Sequence, residues 1–293
     1  MNHEHEHDSG KAEKELRLVI ILTAFILVAE VFGGIISNSL ALLSDAAHVF
    51  SDLFALSISW FALKLAAKPP SAARTFGYHR AEVFAAVING SALVIISLFI
   101  FKEAYERILT PLPVKSAQML AIAVIGLIVN LFVVFKLRKH AQTDLNIRSA
   151  FFHALGDAIA SIGVIIGAVI IMLTGYYAAD SIISIFIGVI ILAGSFRILK
   201  DSTHILLEGT PPHIDMNKVS EAIASIVGVK GVHDLHVWSI CSHINAASAH
   251  IIVEDVRMKD IDEMSKEIKN KMSSFDISHT TFQFECETCE VTH

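Results

Sequence analysis

The chain has 293 residues, 54% of them hydrophobic, a formal charge of −6 and a mean hydropathy of +0.59. The apolar residues fall in long runs, which excludes a purely soluble protein and makes the lipid bilayer its medium. The mild negative charge points to no nucleic-acid partner. The three cysteines, Cys241, Cys286 and Cys289, all follow the apolar part, so they do not form a secreted disulfide framework. A reduced compartment fits them better.

Residues 1–15, MNHEHEHDSGKAEKE, are acidic and histidine-rich and too polar for a signal peptide. His3, His5 and His7 alternate with Glu4 and Glu6, which suits a solvated tail, weak metal collection or an appended tag. A membrane domain is expected over residues 16–203, with six spans near Leu16–Ile36, Ala41–Ala66, Ala81–Ile108, Ala117–Leu137, Ile147–Leu173 and Ala179–Leu199. Each can cross about 30 Å of hydrocarbon as a helix. The connections between spans 1 and 2 and between spans 5 and 6 hold no lysine or arginine. Basic residues gather on the other side, at Lys11, Lys14, Arg17, Lys68, Arg74, Arg80, Lys136, Arg138, Lys139, Arg148, Arg197 and Lys200. The positive-inside rule then places both termini in the cytosol, with Lys102, Arg107 and Lys115 standing against it.

Two stretches inside the spans carry the chemistry: SDAAHVFSD (Ser44–Asp52) and FFHALGD (Phe151–Asp157). Each pairs a histidine with an aspartate four residues on, His48 with Asp52 and His153 with Asp157. Residues four apart share a helix face. Two imidazoles and two carboxylates make a tetrahedral set for Zn²⁺ or a similar ion. A carboxylate in a span costs roughly 2.5–3.5 kcal/mol on insertion scales, so it lines an interior or an ion path. Polar hydrogen bonding between helices is the plainer alternative. Asp45 suits a partner behind the ligands, a proton carrier or a hydrated helix start. Glu30 suits a wet vestibule, and Asn89 and Asn130 suit helix bridging. Gly163 and Gly167 offer close packing on span 5.

Between spans 2 and 3, KPPSAARTFGYHRAE (Lys68–Glu82) reads as a shaped turn. His79 there is either an interfacial histidine or an accessory metal contact. Residues 204–293 form a soluble domain after the Pro211-Pro212 stop. Its pattern predicts helix over Val219–Val227, strands over Val232–Ile240 and Ala247–Glu254, helix over Asp260–Met272 and a strand over Thr280–Glu285. That order predicts a sheet with helices on one face. His233, His250, His279 and Glu285 are its metal-ligand candidates, and the even spacing of the last two allows a shared sheet face. Cys286 and Cys289 have a zinc-site spacing but make only half a site. His3, His5, His7 or a neighbouring subunit would have to complete it. Surface histidines beside a frayed end are the plainer reading.

These residues resemble the cation diffusion facilitator family, in its zinc-type members. The resemblance rests on SLALLSDAAHVFSD (Ser39–Asp52), FGYHRAE (Phe76–Glu82), HALGDAIASIGVIIGA (His153–Ala168), LLEGTPP (Leu206–Pro212), VHDLHVWSI (Val232–Ile240) and SAHIIVE (Ser248–Glu254). It implies an α-helical membrane protein with six transmembrane helices and a C-terminal α+β ferredoxin-like cytosolic domain, working as a homodimer. It also implies export of divalent metal in exchange for protons. By motif, His48, Asp52, His153 and Asp157 match the transport site. His79 matches a loop histidine near the membrane surface. His233, His250 and Glu285 match cytosolic ligands, with His279 less securely aligned. The histidine-rich loop that many zinc-type members carry between spans 4 and 5 is short here, and the histidines sit at the N-terminus instead.

The expected function is therefore a secondary transporter, not an enzyme. It would export Zn²⁺, with Cd²⁺ or Co²⁺ also in range, and bind a structural or regulatory Zn²⁺ in the cytosolic domain. Mixed nitrogen and oxygen donors argue against Mg²⁺ and Ca²⁺. Nothing resembles a nucleotide-binding loop, and no His-Glu-x-x-His helix is present to make an intramembrane metalloenzyme. A membrane-anchored metal sensor is the alternative, and a prokaryotic plasma membrane is the expected location.

Overall fold

The computed structural model describes residues 2–66, 68–138, 145–254 and 257–286; of 2–17, 56, 59, 60, 62, 63, 66, 145–147, 149 and 258 it describes the backbone alone. Six long helices come first: α1 (Asn2–Ser37), α2 (Leu40–Ala66), α3 (Ala81–Leu109), α4 (Ser116–Leu137), α5 (Leu145–Thr174) and α6 (Ala178–Leu206). Among the described residues, all but α2 hold a stretch long and apolar enough to cross a membrane. The 27-residue α2 is the remaining span, its apolar run interrupted by Asp45, His48 and Asp52. The side chains are sorted as lipid demands. Phe25, Phe32, Phe99, Phe135 and Phe186 are exposed, while Glu30, Asp45, Asn89, Asn130 and Asp180 are buried. That inversion keeps the polar groups inside the protein and leaves the apolar ones to the bilayer. The helix α1 begins at Asn2. The histidine-rich start is thus helical, in keeping with its glutamates, lysines and alanine; the side chains of His3, His5 and His7 lie outside the described ones.

The chain divides into two compact units: residues 1–57 with 89–197, and residues 58–88 with 198–293. In the first, Leu42, Met119, Val164, Ala168 and Ile187 anchor the apolar core. Gly167 lets α5 approach α6, since a Cβ there would collide with Ile183. Gly163, expected to help, faces open space. The corner from α1 to α2 takes two residues. Asn38 turns the chain with a left-handed backbone (φ 58°), and Ser39 caps α2 by accepting from the Leu42 amide at 3.2 Å. Asp180, in the first turn of α6, completes the cap from outside. It accepts from the Ser39 hydroxyl (2.6 Å), the Leu40 amide (2.6 Å) and the Ala41 amide (3.2 Å). Arg107 fixes the same corner by donating to the Asn38 carbonyl at 2.8 Å.

The second unit holds α7 (Met216–Ala224), β1 (Val229–Cys241), β2 (Ile244–Val253), α8 (Met258–Ser274) and β3 (Ile277–Glu285). The expected α-β-β-α-β order is present. The sheet runs β1-β2-β3, with β1 and β2 antiparallel and β2 and β3 parallel. Asp215 caps α7 by accepting from the Asn217 and Lys218 amides. Val219, Ile223, Ile268 and Met272 of the two helices pack on Ala247 and Ile251. Period-2 alternation then sends His233, His250, Gln283 and Glu285 to the opposite face.

Asp180→Ala should cost about 2–4 kcal/mol, because it leaves a buried hydroxyl and two helix amides without an acceptor. A lower melting temperature of the detergent-solubilised protein is the expected result; an unchanged one would show that the outside cap is dispensable.

Candidate metal centres

The first centre lies within the first unit. On α2, His48 Nδ1 is 3.7 Å from Asp52 Oδ2. On α5, His153 Nε2 is 3.5 Å from Asp157 Oδ2. The cross pairs close a ring: His153 Nε2 lies 3.5 Å from Asp52 Oδ2, and His48 Nε2 lies 4.0 Å from Asp157 Oδ1. Each carboxylate thus stands between both imidazoles. The two rings meet edge to face, with centroids 6.1 Å apart. Zinc bonds of about 2.05 Å imply donor separations of about 3.3 Å in a tetrahedron. Neighbouring pairs of the ring lie 3.5–4.0 Å apart, but no three of its donors fall within 4.8 Å of one another, so holding one ion requires the side chains to draw inward. His48 faces its two carboxylates with different nitrogens, so holding one ion requires its ring to turn. Asp52 Oδ2 and Asp157 Oδ1 are buried with no hydrogen-bond donor. A cation would satisfy such acceptors.

The second centre lies on the open face of the sheet. The pairing sets His233 opposite His250, and His250 beside Gln283. Glu285 Oε2 lies 3.1 Å from His233 Nε2, and Oε1 lies 2.7 Å from His250 Nδ1. Donor atoms of all three residues fall within 4.8 Å of one another, a spacing that could hold one metal ion. Gln283 Nε2 donates to Glu285 Oε1 at 2.8 Å and helps orient it.

The other sequence candidates among the described residues join neither cluster. His279 has the right parity but pairs with Ala246, four residues from His250 along β2, or about 13 Å. Its ring instead meets that of Phe76, edge to face. His79 lines a cleft with Arg74, Phe76, Arg80, Trp238 and Ile240. Cys286 is exposed and free, and Cys289 lies outside the described residues. Two neighbours of the second centre escaped the sequence reading. One is Gln283. The other is Asp234, where a left-handed residue (φ 50°) sits at a register shift in β1. Its carboxylate lies 3.8 Å from His250 Nε2 and 2.8 Å from His236 Nε2. No periodic pattern announces a bulge.

Comparison with known proteins agrees along nearly the whole chain. Residues 16–207 match the cation efflux transmembrane domain, and residues 211–287 match the cytoplasmic domain of cation efflux proteins. A Bacillus subtilis cadmium, cobalt and zinc/H(+)-K(+) antiporter is 40% identical, over 97% of this chain and 92% of its own. The metal cation efflux system protein CzcD of Cupriavidus metallidurans is 39% identical, over 98% and 91%. The zinc transporter ZitB of Escherichia coli is 37% identical, over 99% and 94%. A solved metal-bound C-terminal domain of the CzcD transporter shares 33% identity, covers 25% of this chain and 99% of its own, and superposes with a TM-score of 0.23. With both of the family's domains matched in order, the chain belongs to the cation efflux, or cation diffusion facilitator, family, and is a membrane transporter of metal cations rather than an enzyme.

Proposed function

We propose that the protein exports Zn²⁺ from the cytosol in exchange for protons through His48, Asp52, His153 and Asp157. The observation that carries this is the closed ring of alternating imidazoles and carboxylates, with distances of 3.5–4.0 Å. Two aspartates match the charge of a divalent ion. Imidazole ligates only when neutral, so loading metal releases protons, and protons arriving from the far side displace the metal. One ligand set thereby couples two fluxes. Mixed nitrogen and oxygen donors favour Zn²⁺, Cd²⁺ and Co²⁺ over Mg²⁺ and Ca²⁺. The name of the Bacillus relative, a cadmium, cobalt and zinc/H(+)-K(+) antiporter, points the same way.

In this reading the chain works as a homodimer in a prokaryotic plasma membrane, with both termini in the cytosol. Residues 16–203 form the transport domain and residues 204–293 the cytosolic one. His233, His250 and Glu285 hold a structural or regulatory Zn²⁺. The position left by three donors is filled by Cys286, Cys289, water or a group from the second subunit. His79 and His279 serve at most as accessory contacts. The sensor alternative has the cluster on the sheet in its favour, but a sensor has no use for a second ligand ring in the spans.

Zinc uptake into proteoliposomes carrying a pH-sensitive dye tests the proposal. Wild type should take up zinc with opposite proton movement, and Asp157→Ala should fall to the leak of protein-free vesicles. Zinc entry without proton movement would make the protein a uniporter. His48→Ala should lose flux while keeping cytosolic zinc binding; a retained flux would remove His48 from the path.

His48→Asp replaces an imidazole with a carboxylate and should shift the Zn²⁺-to-Cd²⁺ transport ratio toward Cd²⁺. An unchanged ratio in competing-ion flux assays would mean that selectivity lies elsewhere.

His233→Ala with His250→Ala should lower bound zinc by about one ion per chain, since their donors make one site. Equilibrium dialysis of the full-length protein reads this directly. Unaltered stoichiometry and dimer stability would rule out the regulatory site.

A further inference from the structure

We infer that Glu30 and Asp45 are proton-carrying residues that serve the ring of His48, Asp52, His153 and Asp157 without binding metal; this rests on the exchange reading above. Both are almost fully buried in the first unit, each 3% exposed. Glu30 Oε2 and Asp45 Oδ1 have no hydrogen-bond partner. On α2, Asp45 lies three residues before His48 and so shares its helix face, and Asp157 of α5 acts electrostatically on both Glu30 and Asp45. Ser161 and the bare backbone of Gly126 flank Glu30: a Cβ on Gly126 would lie 3.5 Å from both Glu30 Oε1 and Ser161 Oγ. The Ser161 hydroxyl is itself buried and unpartnered. These buried polar groups of the first unit supply the stations that a proton route to Asp157 requires.

No lysine or arginine among the described residues stands against either carboxylate, and every charged group that bears on them is another carboxylate. Such a group at bilayer depth needs a proton or a cation. A metal ion fits less well. Among the described residues, no imidazole lies within 4.0 Å of Glu30 or Asp45, whereas each carboxylate of the ring has two. A proton needs no such convergence, because it passes between carboxyls through a hydroxyl or a water. The balance is simple. Glu30 takes a proton from water and passes it by way of Asp45 to the ring as the metal leaves. The reverse transfer accompanies loading. No bond other than O–H or N–H changes.

Zinc binding in detergent and zinc flux with an internal pH dye test the inference on wild type, Glu30→Gln, Asp45→Asn and Glu30→Asp. Glu30→Gln and Asp45→Asn should bind zinc within about threefold of wild type. Their flux should fall by about a hundredfold, the low end for loss of a positioned proton carrier, and lose its dependence on an imposed pH gradient. Glu30→Asp should restore part of both, which a merely structural role would not predict. Wild-type coupling in Glu30→Gln overturns the inference while leaving the exchange reading intact. Zinc binding lost together with flux overturns it too, by making these residues part of the metal site. A wild type that moves zinc without protons defeats the exchange reading itself, and this inference with it.

Discussion

A buried carboxylate in a bilayer must be answered by something, and this chain answers it in three ways. Asp180 is satisfied by donors: a hydroxyl and two helix amides converge on it. Asp52 and Asp157 face imidazoles, with which they would share a metal ion in the proposed transport site. Glu30 and Asp45 each keep an oxygen with no partner at all. The first solution is permanent and builds structure, because backbone amides at a helix start have nowhere else to go. The second and third can be discharged and recharged, which is what a carrier of cations requires.

The permanent solution supports the others. Asp180 and Ser39 fix where α2 begins, and His48 and Asp52 lie two and three turns further along the same helix. Arg107 and the Lys115 amide, bonded to Asn38 and Ser37, hold the end of α1 at the same corner, and α1 carries Glu30. A shift of the α2 start by one residue would rotate both ligands by about 100° around the helix. The cap therefore sets which face of α2 carries the ring, although it makes no contact with a metal ligand.

The sequence was legible where one element contains the whole pattern. His48 with Asp52 and His153 with Asp157 each lie in a single helix at four-residue spacing, and the structure brings those pairs together. The helices and strands of the cytosolic part were legible for the same reason, since periodicity is local. Contacts between distant elements were not. Asp180 meets Ser39 across 141 residues, and nothing in either stretch marks the other. The strand β3 shows the boundary well. Parity alone put His279 and Glu285 on one face, but the parallel register sets Glu285 beside Ile252 and His279 beside Ala246. Only the former comes near His250. Asp234 depends on a bulge and a left-handed backbone, and Gln283 on Glu285 bending toward it; neither leaves a periodic trace.

The two centres also differ in a way that suits different tasks. On the sheet, Glu285 lies 3.1 Å and 2.7 Å from its two histidines, and Gln283 holds one of its oxygens. Those side chains rise from paired strands, so their separation is fixed by the sheet, and an ion bound there is favoured to stay. In the spans the corresponding distances run from 3.5 to 4.0 Å, and His48 must turn to offer a single nitrogen. The ligands come from two helices with no backbone ladder between them. In the proposed transport role, binding an ion there would draw the two helices' side chains inward, and part of the binding energy would be spent on contraction. A carrier benefits from that, because an ion held too tightly would not be released to the far side.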